Sequence, residues 1–93
     1  MIIVKIHGVG EVEAEKIRRE IVTALSSRMA HKLVTEIVQS KVADHLGDPF
    51  PYLECVAPDI KAFQEVQRVV NLLHGRHEIR KMPLIFIKFL DEA

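Results

Sequence analysis

The sequence predicts an α+β domain: two βαβ units in pseudo-twofold repeat, forming a four-stranded mixed sheet with two helices on one face. Two observations predict it. Shifted by 48 positions, the apolar pattern overlays on itself: Val12 falls on Ile60, Ala14 on Ala62, Ile21 on Val69, Leu25 on Leu73 and Ile37 on Ile85. Each copy, 1–45 and 49–93, also reads strand, helix, strand. Units that bury apolar sides against each other make one layered domain, and 93 residues suffice for one only.

Each element has a local cause. Ile2–His7 is short and β-branched, which suits a strand, and Gly8-Val9-Gly10 ends it. From Glu11 to Arg28 the apolar residues Val12, Ile17, Ile21, Ala24, Leu25 and Met29 recur at helical spacing. Glutamates precede arginines along this stretch, the order that suits a helix dipole. Leu33–Val38 is the second strand, with an extension expected to Val42. Gly47-Asp48-Pro49 is a turn. Phe50–Val56 is the third strand, with Pro51 confined to its beginning. Asp59 is placed to cap a second helix whose stripe is Ile60, Phe63, Val66, Val70 and Leu73, and Gly75 stops it. Pro83–Leu90 is the last strand, apolar enough to be covered on both faces.

Composition bounds the partners. Apolar residues make up 48% of a chain with formal net charge +0. That balance argues against a nucleic-acid binder, which shows a basic excess, and no apolar run approaches the roughly 18 residues of a membrane span. The apolar share exceeds what one small monomer hides, so a homo-oligomer is expected. Cys55 is the lone cysteine. It forms no internal disulfide, reads as a small core residue and suits a reducing, cytoplasmic setting.

The order βαββαβ fits two architectures. In the ferredoxin-like sandwich the two units interlock; in the other each unit pairs its own strands in parallel. The chain begins with its strand at residue 2, carries Gln39-Ser40 after the second strand, and opens the second unit with Phe50-Pro51-Tyr52-Leu53-Glu54. In these features residues 1–90 resemble an uncharacterised branch of the tautomerase (macrophage migration inhibitory factor-like) superfamily. The resemblance implies the second architecture, a trimer with pockets between subunits, and catalysis by an N-terminal proline. Ile2 stands at that position. It also disfavours removal of Met1, so the family's base is not carried over and no catalytic residue is assigned.

Several residues are candidates for a site. His74, Arg76, His77, Arg80 and Lys81 form the densest basic stretch and could grip a small anionic ligand through paired donors; the plainer reading is a solvated helix end. His74 and His77 stand three apart, but without accompanying cysteines or carboxylates no metal is expected. Glu36 and Glu54 lie within strands, either as paired carboxylates or as outward residues. His7 ends a strand and could face a pocket. Gly8-Val9-Gly10 lacks the third glycine and the lysine of a phosphate loop. No cofactor is called for. The leading expectation is a tautomerase-like oligomeric scaffold, small-ligand-binding or structural, without proline-based catalysis. A keto-acid isomerase using another base is an alternative. So is a ferredoxin-like RNA or regulatory ligand-binding module, against which the third strand carries Tyr52 but nothing like the aromatic pair of an RNA-recognition motif.

Overall fold

In the computed structural model, residues 1–26, 32–39, 42–74 and 82–88 are described. The elements run β1 (Ile2–His7), α1 (Glu11–Leu25), β2 (Leu33–Val38), β3 (Tyr52–Ala57), α2 (Ile60–Leu73) and β4 (Leu84–Lys88). The sheet order is β2-β1-β3-β4. β1 pairs in parallel with β2, and β3 with β4; β1 and β3 join antiparallel at the centre. Each βαβ unit therefore keeps its own parallel pair. In the ferredoxin-like alternative β1 would lie between β3 and β4, and this order excludes it.

Alternation explains the two faces. Ile2, Val4 and Ile6 of β1 and Leu53, Cys55 and Ala57 of β3 are buried in one cluster with Ala14, Ile17, Ile21 and Leu25 of α1 and Val66, Val69 and Val70 of α2. Since strands show one face at every second residue, this places both helices on the same side. Each buried aliphatic side chain contributes about 1.5–3 kcal/mol. The helix ends differ: Asp59 caps α2 by accepting the Ala62 N–H at 2.8 Å, whereas Gly10 gives α1 no side-chain cap.

The repeat holds at two spacings. The helices overlay at 48, with Ala14/Ala62, Ile21/Val69 and Leu25/Leu73 all buried. The strands overlay at 51, Ile2 matching Leu53 and Leu33 matching Leu84. The difference is odd, so the expected match of Ile37 with Ile85 joins opposite faces: Ile37 packs on the core and Ile85 does not. Val12 and Ile60, expected on the apolar stripes, are exposed in the first turns.

β2 stops at Val38 rather than reaching Val42. Val42 instead accepts the Phe50 N–H, and Ala43 bridges Pro49. Asp44 Oδ1 closes the turn between them by accepting from Leu46 and Asp48. Gly8 has φ 74°, and a Cβ there would sit 2.3 Å from the Phe50 carbonyl oxygen. The close crossing of chain at Gly8 thus positions the start of β3. Gly8→Ala combines left-handed strain with a backbone clash and is expected to cost about 2 kcal/mol or more, read as a lower urea midpoint.

Candidate functional site

The candidate site is the face of the sheet without helices. Register places its side chains in rows. One row is apolar: Val34, Ile3, Val56 and Ile87. The next is charged: Glu36, Lys5 and Glu54, ending at Ile85. The third holds Val38, His7 and Tyr52. Ile85 and Ile87 are 44% and 40% exposed.

His7 is the one buried polar residue among those described. Antiparallel pairing sets it opposite Tyr52, and the rings stack at 4.1 Å and 7°. Two residues along β3, Glu54 Oε1 lies 3.1 Å from His7 Nε2. With the carboxylate ionised, Nε2–H is the donor, which leaves Nδ1 as the bare nitrogen. A carboxylate that orients an imidazole is the arrangement of a general base. Here Nδ1 is buried and has no hydrogen-bond partner among the described residues. Nε2 is taken by Glu54, so neither nitrogen is open to a substrate proton. The pair instead ties β1 to β3.

Of the two readings of Glu36 and Glu54, paired carboxylates or outward residues, the pairing does not occur. β1 lies between their strands, and Lys5 stands between them in register. Of the basic stretch, His74 is an exposed C-cap of α2 whose N–H donates to Val70. Arg76, His77, Arg80 and Lys81 lie outside the described residues, as does His31. His45 is exposed in the turn after Ala43.

A cleft of about 510 Å³ opens where α1 begins, lined by Val9, Gly10, Glu11, Glu15, Ile37 and Gln39. Gly8-Val9-Gly10 therefore borders two carboxylates, which repel a phosphate. Glu15 is bound by Arg18, whose hydrogen bond holds its carboxyl below the usual range. Among the described residues no group of three or more His, Cys, Asp or Glu is placed to hold a metal, and no helix is long and apolar enough to cross a membrane.

At the position where the tautomerase resemblance puts proline, Ile2 is fully buried in the core and its N–H donates to the Lys32 carbonyl at 2.8 Å. Proline has no such donor. Position 2 is thus part of the sheet and the core.

No protein-family model and no curated protein matches the sequence. Solved structures do match the fold. A protein of unknown function from Vibrio cholerae superposes with TM-score 0.67 at 15% identity, over 99% of this chain and 80% of that one. A macrophage migration inhibitory factor-like protein from Entamoeba histolytica superposes with TM-score 0.54 at 18% identity, over 95% of this chain and 86% of that one. The fold is therefore that of the macrophage migration inhibitory factor-like, or tautomerase-like, proteins.

Two expectations follow. Glu54→Ala strands a buried imidazole and should cost about 1–3 kcal/mol in chemical denaturation. Burial also pushes the Cys55 thiol up from 9.0 to about 12. A folded value above the unfolded one means that the fold favours the protonated thiol. That contribution is full below pH 9 and declines as pH rises towards about 12. Melting temperature should therefore fall more steeply above pH 9 in wild type than in Cys55→Ala.

Proposed function

We propose that this chain is a tautomerase-like scaffold that works as a homo-oligomer, a trimer by the resemblance, assembled through the helix-free face of its sheet and without proline-based catalysis. The observation that carries this reading is the face itself. Ile85 and Ile87 of β4 stand exposed on it, next to the half-buried Val34, Ile3 and Val56 and the His7–Glu54 pair. Contiguous apolar surface of this kind marks an interaction site. The charges of both signs beside it, Lys5 between Glu36 and Glu54, favour a second copy of the same face over an apolar partner. A small ligand would then bind between subunits, and a lone buried thiol suits a cytoplasmic setting.

Two features speak against the enzyme alternative. Ile2 supplies no secondary amine and is held in the core, and the one histidine on the face has both nitrogens closed off. For an anionic ligand, Arg76, Arg80 and Lys81, helped by His74 and His77, remain the proposed contacts. Titration with phosphate decides: unchanged affinity in Arg76→Ala and Arg80→Ala removes them.

Light scattering at micromolar concentration should give a multiple of the 10.6 kDa chain, near threefold for a trimer. A single-chain mass would refute the assembly. A phenylpyruvate tautomerase assay, with the N-terminus checked by mass, should show no efficient turnover; turnover matching a proline-bearing relative would refute the scaffold reading.

A further inference from the structure

We infer that His7 makes the assembly respond to acid: protonation of its imidazole tightens the association of copies through the helix-free face. The inference rests on the assembly reading above and specifies its regulation.

The charges of the face do not sum to zero. Among the described residues its charged row carries two carboxylates, Glu36 and Glu54, for one ammonium, Lys5, which stands between them in register. The groups around His7 are Lys5 on its own strand, Glu36 and Val38 from β2, and Tyr52 and Glu54 from β3. β4 adds only the uncharged Ile85 and Ile87 to the face. With a neutral imidazole the face therefore holds one negative charge in excess. With an imidazolium it holds none.

Two costs of charging His7 are already present in the single chain. Its side chain is 9% exposed, so a neighbouring copy removes little further water from it. Nδ1 is buried without a partner among the described residues, whether it accepts or, once protonated, donates. That defect is the same before and after association and drops out of the comparison. What association does change is the field at the face. Each copy that closes on it brings its own excess carboxylate, and like charges gathered at a dry interface repel. One proton per copy removes the excess and turns the contact of His7 Nε2 with Glu54 Oε1, at 3.1 Å, into an ion pair. The proton is thus held more tightly in the assembly than in the free chain. By linkage, association is strongest at the acid end of the imidazole range and declines as pH rises through it. Ordinary carboxylates titrate below about pH 5, so the response belongs to the window from about pH 5.5 to 8.

The test is sedimentation equilibrium over a dilution series at both ends of that window. Wild-type association should be about fivefold or more tighter at the acid end. His7→Gln, which can still donate to Glu54 but carries no charge, should lose the response. Glu36→Gln removes the excess carboxylate without touching His7, and at about pH 8 it should associate more tightly than wild type. Far-ultraviolet circular dichroism confirms that each variant is folded, and the Glu36→Gln arm decides should His7→Gln not fold. Wild-type association that ignores pH or weakens in acid, a folded His7→Gln that keeps the response, or a Glu36→Gln no tighter than wild type would each overturn the switch while the assembly stands. A wild type that stays a single chain at both ends of the window would overturn the assembly itself.

Discussion

The antiparallel pairing of β1 with β3 is the contact that turns two βαβ units into one sheet. Within each unit the parallel pair is local, closed by its own helix. Among the named strands, the Ile3–Val56 to His7–Tyr52 ladder is the one that crosses between units. It also orients both units so that α1 and α2 share one face and meet over a single core. The other face is assembled by the same ladder, which brings His7 to Tyr52 and Glu54 from 45 and 47 residues away. Shifting this ladder by one residue would turn the apolar set of one unit away from the core.

The helix-free face carries apolar side chains beside a histidine that is tied on both sides. A histidine poised for proton transfer needs one accessible nitrogen. His7 has one nitrogen given to Glu54 and the other buried, with no hydrogen-bond partner among the described residues. Where the tautomerase resemblance puts proline, Ile2 is woven into this fold instead, its side chain in the core and its N–H bonded to Lys32.

Much of the fold was legible because it is written locally. Helical spacing, Asp59 at an N-cap and the Gly47-Asp48-Pro49 turn each act over a few residues, and the 48-residue repeat made the two units visible. The strand matches were less legible. Overlay at 48 hid that the strands repeat at 51, because an apolar β-branched run shows no face of its own; the helix packed against it decides which residues are buried. The site was legible only as separate residues. His7 and Glu54 were each visible as strand residues, but their bond depends on the antiparallel register across 47 positions. The basic stretch from His74 stood out by density, and of it only His74, the exposed C-cap of α2, falls among the described residues.

The crossing of the chain at Gly8 has a consequence for where this protein tolerates change. By holding the Phe50–Pro51 backbone against the end of β1, it fixes the incoming end of the β2–β3 connection independently of what the connection contains. The turn from Asp44 to Gly47 is then a free bight of chain, exposed and closed at its base by the Ala43–Pro49 bridge. Loop entropy grows only slowly with length, about 0.6 kcal/mol per doubling. Relatives or engineered variants can therefore lengthen the protein at this point, adding a peptide epitope or even a small folded insert, without altering the strand ladder on which both faces depend.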